Sequence, residues 1–305
     1  MKRVVHITFS VPRQHGPRLR KFLESLDLLS GWEPAEGYRV RAAFTGELDE
    51  ADPRLEQLRK FGTAFSPDCP IFERGEAIYT IDELRAAPLL EFSLERSPRE
   101  LGYPYEGQYD FATGCPHCHT GARQVGPIRV NPPFSDHPAG FPRTGVVCQT
   151  IDFEYLVRGE LHVALADAAL RGLKLLEARS KRDEPTGWWQ LVAEHTMPRM
   201  SPATRGLVRG DDRQGRRLPT CVHCDRASYY STLREPLEIV YRRRDIGAGP
   251  LPDAAFTWEG FGETGPQFRC VIARPRLLVS PRVLDIFRKL KVRGPVFAPV
   301  QIVDE

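Results

Sequence analysis

Two cysteine pairs constrain this chain more than any other feature. They are Cys115-Pro-His-Cys118, the first cysteine turn, and Cys221-Val-His-Cys224, the second cysteine turn. A C-x-x-C turn directs two thiolates toward one point, and two such turns supply the four soft ligands of tetrahedral Zn²⁺. We therefore predict one structural zinc ion held by Cys115, Cys118, Cys221 and Cys224. Because 102 residues separate Cys118 from Cys221, the site would be a split zinc ribbon that clamps the ends of a folded insertion.

Other uses of these cysteines stay open at this level. Two separate sites could form, with His117 or His119 completing the first and His223 the second. The run from Cys115 to His119 also matches C-x-x-C-H, the attachment motif of c-type haem. A redox pair would place a thiolate at a helix N-terminus, but the residues after Gly121 lack a helical pattern. Four plain thiols without a metal are the last alternative.

Composition is typical of a globular protein of two domains, with 305 residues, 41% hydrophobic and 27% charged. The odd cysteine count of seven fits a reducing compartment better than a disulfide framework. Cys148 and Cys270 lie among apolar residues and are expected to be buried. Neither a signal peptide nor an apolar stretch of membrane-spanning length is visible. These features predict a cytoplasmic protein with no membrane partner.

Residues 1–100 read as an N-terminal domain in which strands and helices alternate. Apolar residues repeat with strand or helix period in turn, and Thr80-Ile-Asp-Glu83 resembles a capping box. This order predicts an α/β sandwich-like unit, a small sheet with helices on one face. The predicted elements are strands Val4–Val11, Tyr38–Phe44 and Ile71–Tyr79 and helices Arg18–Leu29, Pro53–Phe61 and Thr80–Leu90.

Residues 101–305 read as a second domain with an internal repeat. Tyr155–Ala178 aligns without a gap on Leu277–Val300, and each copy follows a cysteine turn. Each copy has the pattern of a strand, an amphipathic helix, a glycine stop and a strand, with Gly172 and Gly294 at the helix C-termini. The prediction is an α+β fold with a duplicated β-α-β domain. Residues 101–145, 181–187 and 201–219 are predicted loops.

No catalytic motif stands out. Nucleophile elbows, phosphate-binding loops and dinucleotide-binding glycines are absent from the sequence. The pair Glu194-His195, the alternating Asp152 and Glu154, and Asp211-Asp212 do not form a recognisable acid–base constellation. The sequence therefore favours a binding protein with no catalytic residue, and an enzyme with an unrecognised site is an alternative.

A nucleic-acid-binding zinc protein is a further alternative. The run Arg242-Arg243-Arg244 and the arginines of residues 205–217 would contact phosphates. The net charge of +3 is close to neutral, however, and a charge run of this kind is typical of a solvated loop. Nucleic acid is accordingly not the favoured partner.

The order of cysteine turn, β-α-β unit, cysteine turn and β-α-β unit resembles the bacterial double-CXXCG motif family over roughly residues 110–303. The likeness is strongest at Leu278–Val300, a strand, Ser-x-Arg, a helix, a glycine and a strand ending in Pro-Val. The family's glycine after each second cysteine is replaced here by His119 and Asp225. Some members are immunity proteins that neutralise a toxin delivered by neighbouring cells. The resemblance implies a protein partner, possibly such a toxin, and does not account for residues 1–100.

Overall fold

The computed structural model of the chain describes residues 1–31, 33–34, 41–65, 71–94, 99–100, 109–130, 146–150, 154–210, 220–232, 235–262 and 273–304. Its fold is mixed α+β, as predicted, and strands predominate over the six α-helices of these residues. The chain divides into two compact units, residues 1–80 with 231–237 and residues 81–230 with 238–305. Within the described ranges, no helix combines the length and the apolar character needed to cross a membrane.

The first unit is an antiparallel sheet with two helices. The strand order is β2-β3-β1-β4, and the alternating residues Val5, Ile7, Phe9 and Val11 of the central strand join one apolar core with leucines of both helices. The elements are β1 (Lys2–Pro12), α1 (Gly16–Ser25), β2 (Glu33–Pro34), β3 (Arg41–Asp49), α2 (Arg54–Phe65) and β4 (Ile71–Ile78).

One predicted element near the first unit is wrong in part. The capping box does open a helix, α3 (Ile81–Ala86), but that helix stops before Leu89. Leu89 and Leu90 instead begin strand β5 (Leu89–Leu94), which pairs antiparallel with two strands from the end of the chain. Strand β5 accordingly belongs to the second compact unit, which begins at residue 81.

The second unit contains a five-stranded sheet, an eight-stranded sheet and a short hairpin. The sheet orders are β11-β12-β10-β9-β6 and β14-β15-β17-β18-β5-β19-β16, with β13 paired to β17. The remaining elements are β6 (Arg99–Glu100), β7 (Tyr109–Asp110), β8 (Arg123–Gln124), β9 (Val147–Thr150), β10 (Tyr155–Val157), α4 (Gly159–Asp167), β11 (Leu173–Arg179), β12 (Pro185–Ala193), β13 (His195–Thr196), β14 (Leu207–Arg209), β15 (Tyr229–Ser231), β16 (Val240–Arg242), α5 (Arg243–Ile246), β17 (Ala254–Phe261), β18 (Arg274–Val279), α6 (Pro281–Lys289) and β19 (Pro295–Val303).

The two segments aligned in the sequence have the same local topology. The alignment superimposes α4 on α6 from first to last residue. The left-handed residues that directly follow the two helices are Ala169 and Lys291, with φ of 46° and 53°. Gly172 and Gly294 also have positive φ, 81° and 99°, but lie farther along the chain, so the prediction that these glycines end the helices is wrong. In each segment the two strands flank a third, antiparallel strand, β12 in the first and β5 in the second.

The register within these two sheets also matches. Leu156 and Leu176 both lie opposite Gln190. At the aligned positions of the second segment, Leu278 and Ala298 both lie opposite Glu91. The central strand of the first segment is β12, which follows that segment in the chain. The central strand of the second segment is β5, which precedes both segments. The strand pairing is therefore alike, and the chain connections differ.

One apolar core joins the helices of both segments. Phe92 lies at its centre, with ring centroids 4.7 Å from Tyr155, 5.5 Å from Phe287 and 5.4 Å from Phe297. The Tyr155 hydroxyl donates to the Phe92 carbonyl at 2.9 Å, linking the two sheets. A second cluster with Cys148 and Trp188 covers the other face of the five-stranded sheet. Cys148 is thus buried as predicted, while Cys270 lies outside the described residues.

Candidate metal centre

The first cysteine turn closes the hairpin of β7 and β8. Three backbone hydrogen bonds shape it: Cys115 N–H to the Thr120 carbonyl at 3.1 Å, His119 N–H to the Cys115 carbonyl at 2.8 Å, and Ala122 N–H to the His119 carbonyl at 3.0 Å. His119, which stands where the double-CXXCG pattern has glycine, has φ of 56°. That left-handed conformation favours glycine, so this turn keeps the glycine shape with a different residue.

The second cysteine turn is held by a side chain from outside it. Arg209, the last residue of β14, donates to the carbonyls of Cys221 at 3.3 Å and Cys224 at 2.9 Å. Its Nε also donates to the Ala227 carbonyl at 3.3 Å. Arg209 was interpreted from sequence as part of a solvated, mobile loop; the structure corrects this, because Leu207–Arg209 is a strand and its arginine caps the turn. Residues 211–219, which include Asp211 and Asp212, lie outside the described ranges.

The two turns bring all four cysteines together. Their sulfur atoms lie within 4.8 Å of one another, and the shortest pairs join the two turns: Cys118 to Cys224 at 3.4 Å and Cys115 to Cys221 at 3.8 Å. A tetrahedral ion with metal–sulfur bonds of about 2.3 Å sets its sulfurs about 3.8 Å apart. The four cysteines therefore could hold one metal ion, from partners 106 positions apart in the chain.

The histidines within the turns lie outside this cluster. His117 and His223 are exposed and stack face to face, with centroids 3.3 Å apart and planes 12° apart. Their rings face each other across the two turns. His119 packs against Phe111 at 4.7 Å between centroids. A group of three or more metal-binding side chains occurs only at the four cysteines in the part of the chain that the structure describes, so the geometry favours one shared site over two histidine-completed sites.

The thiols of Cys115, Cys118 and Cys224 do not ionise equally easily. Burial raises the pKa of Cys224 to about 12 and also raises the pKa of Cys118. Burial opposes ionisation of Cys115 as well, but hydrogen bonds from the backbone of His117 and Cys118 outweigh it and lower the Cys115 pKa to about 7. A bound divalent ion would hold all four as thiolates, since a coordinating thiol is deprotonated outright.

Arg226 connects the turns to strand β17. Its Nε donates to the Trp258 carbonyl at 3.1 Å, and its guanidinium lies 5.3 Å from the Trp258 ring centroid. It also packs directly on Gly121 after the first turn, where a side chain would collide with the guanidinium. Arg199 covers the same indole at 4.4 Å and pairs with Asp225 at 2.9 Å. That partner holds the pKa of Asp225 below its usual range.

A buried polar cluster anchors the hairpin of the first turn. The Tyr109 hydroxyl donates to Glu154 at 3.0 Å, and the Gln124 amide donates to Gln190 at 2.7 Å. Glu154 pairs with Arg274 at 3.0 Å, and both side chains are under a tenth exposed. We interpreted Glu154 from sequence only as one of two alternating acidic residues; the structure places it just before β10, in an ion pair with the first residue of β18. Its partner is distant in sequence, so no local signal could have identified the cluster.

The other residues singled out in the sequence do not meet at this centre. Glu194 is exposed and pairs with Lys174 at 2.6 Å, which lowers the Glu194 pKa. His195 is exposed in β13. Asp152 lies outside the described residues. Of the three consecutive arginines, Arg243 and Arg244 are exposed in the short helix α5.

Comparison with known proteins adds no relative: the chain matches no protein-family model, and a search of curated proteins found no match. The geometry of the four cysteines is therefore the strongest indication of what the chain does.

Proposed function

We propose that this chain is a zinc-stabilised, non-enzymatic binding protein that recognises a partner protein. The observation that supports it most is the approach of four cysteine sulfurs to within 4.8 Å from two distant turns. Zinc is the proposed ion because four thiolates in a tetrahedral set are its usual structural ligands. The compartment would be the reducing cytoplasm, where such thiols stay available to the metal.

The role proposed for the ion is structural. Four protein ligands complete a tetrahedral shell and leave no position for water or substrate, whereas catalytic zinc keeps one position open. The ion would join the hairpin of the first turn to the segment of the second, and its binding energy would add to the stability of the fold. In this proposal the metal clamps the first strand–helix–strand segment, as a split zinc ribbon with a folded insertion.

The matching registers around Gln190 and Glu91 support an internal duplication of the β-α-β unit. A duplicated, metal-clamped scaffold is suited to presenting a rigid surface. The acidic residues most open to a catalytic interpretation, Glu154 and Glu194, each have an ion-pair partner. Both points favour binding over catalysis.

The proposed partner is a toxin protein, and the chain would be its immunity protein. This part rests on the resemblance of residues 110–303 to the double-CXXCG family. The direct test is to express a large toxin encoded beside this gene, with and without this chain, and to measure growth and complex formation between the two purified proteins. Rescue of growth with a complex of fixed stoichiometry is expected. A toxin that is neither bound nor neutralised contradicts the immunity role.

A matched variant separates this role from non-specific rescue. Cys118→Ser should lose the metal and, with it, protection against the toxin, while Cys148→Ser, a buried cysteine outside the cluster, should keep both. Retention of the native chain on heparin at low salt, lost steeply as salt rises, would instead indicate nucleic-acid binding.

A further inference from the structure

Arg226 is not one of the proposed ligands, yet it contacts the region of both cysteine turns. It lies two residues after Cys224, is partly buried, and packs on Gly121 of the opposite turn. Its Nε is fixed by the Trp258 carbonyl and its plane by the Trp258 ring. Arg226 therefore adjoins both cysteine turns, the second through the chain and the first through Gly121, which lies three residues after Cys118.

The charge of the centre requires such a group. A divalent ion with four thiolates retains a net negative charge, because the thiolates outnumber the charges on the ion. Away from bulk water that charge is costly unless a cation or hydrogen-bond donors lie close by. Strand β17 supplies no charge at this point other than Glu259, whose carboxylate is buried and would add to the cost.

We propose that Arg226 is the positioning residue of the metal centre, offsetting the negative charge of the metal–thiolate cluster and holding both cysteine turns at one ion. The inference rests on the proposed function, since it presupposes a divalent ion at the four cysteines. Arg226 touches the turns and not the ion, so it acts through the ligands, in the way that outer-shell partners tune a metal site.

Arg199 provides a matched control within the same region. Its guanidinium lies 4.4 Å from the centroid of the same Trp258 ring, and it carries the same charge. Its ion pair is with Asp225, the residue after the second turn, and the side chains of both partners are more than half exposed. Substituting Arg199 therefore removes the same charge and a contact with the same ring, and leaves in place the arginine that packs on Gly121.

The test compares metal affinity of the full chain and its R226M, R226K and R199M variants. Each is titrated anaerobically with Co²⁺, read by thiolate-to-cobalt absorption, and then with Zn²⁺ against a competing chelator. R226M should bind both ions about 10- to 100-fold more weakly. R199M should stay within about twofold of the native chain, since it leaves the outer shell of the thiolates intact. R226K, which keeps the charge, should recover most of the loss.

The outcomes separate the inference from the proposed function. R226M and R199M with equal affinities would overturn the role of Arg226, and so would an R226K variant as weak as R226M, because charge would then be irrelevant. Circular dichroism at saturating Zn²⁺ checks that R226M folds; if it does not, R226K against R199M decides alone. A native chain that binds neither ion overturns the proposed metal centre itself.

Discussion

The two cysteine turns carry the same spacing and are held by different means. The first is shaped by backbone hydrogen bonds inside its own hairpin and by the left-handed His119. The second relies on Arg209, which donates to the carbonyls of Cys221 and Cys224 from a separate strand. A turn built by its own backbone can form before the ion binds, whereas the second needs a distant side chain. The ion would therefore bind to a preformed first turn and fix the second.

The largest effect is expected from removing a cysteine ligand, and it should be the same for either turn. Cys118→Ser and Cys224→Ser should each abolish stoichiometric metal binding and lower the free energy of unfolding by several kcal/mol, because the ion contributes folding energy. Thermal unfolding and metal content measure both. Cys148→Ser is the control: it should cost about 1–3 kcal/mol as a buried polar group and leave the metal content unchanged. An unaltered melting temperature in either ligand variant would contradict the clamp.

A smaller effect should be confined to the first turn. A Cβ at Gly114 would lie 2.6 Å from the His119 carbonyl oxygen and 2.7 Å from the Ala122 nitrogen, both backbone atoms that cannot move aside. Gly114→Ala should cost about 1–3 kcal/mol through overpacking. Gly249→Ala, where nothing lies within 4 Å, should be close to neutral in the same denaturation experiment. Equal effects at both glycines would show that the hairpin is not rigid.

Substitution of Arg209 should destabilise the second turn and leave the first unchanged. Arg209→Met removes this donor from the carbonyls of Cys221 and Cys224 and should lower the free energy of unfolding by about 1–2 kcal/mol. The upper end of that range is below the upper end expected for Gly114→Ala. Hydrogen exchange should show faster opening of residues 221–224 and unchanged protection of residues 115–122. Equal loosening of both turns would remove the distinction between them.

The smallest effect concerns the stacked rings between the turns. His117→Ala and His223→Ala, alone and together, should give a coupling energy of no more than about 1 kcal/mol in a double-mutant cycle, because both rings are exposed. Metal content should stay at that of the native chain. Loss of metal in either variant would revive the two-site alternative, in which the histidines are ligands.

Local patterns anticipated the elements whose causes are local. The spacing of the cysteines and the helix period of residues 159–167 and 281–289 each express one short-range requirement, and the structure has both. The helix ends were misplaced, because Ala169 and Lys291 adopt the left-handed conformation that the sequence assigned to Gly172 and Gly294. The assembly of the four cysteines follows from the chemistry that their spacing implies.

Features that depend on distant partners escaped the sequence. Leu89 and Leu90 read equally well as the end of a helix or the start of a strand, and pairing with β18 and β19 decides for the strand. Arg209 and Arg226 look like surface charges because their partners are backbone carbonyls of other segments. The ion-pair partner of Glu154 is Arg274, 120 residues farther along the chain, so the sequence around Glu154 could not reveal the pair.

The most direct test is elemental analysis of the purified native chain, combined with its unfolding in the presence and absence of a chelator. The account predicts one zinc ion per chain and a marked loss of thermal stability when the chelator removes it. A chain that contains no metal, takes none up, and melts identically with and without chelator would show that the four sulfurs meet without an ion, and the clamp would have to be abandoned.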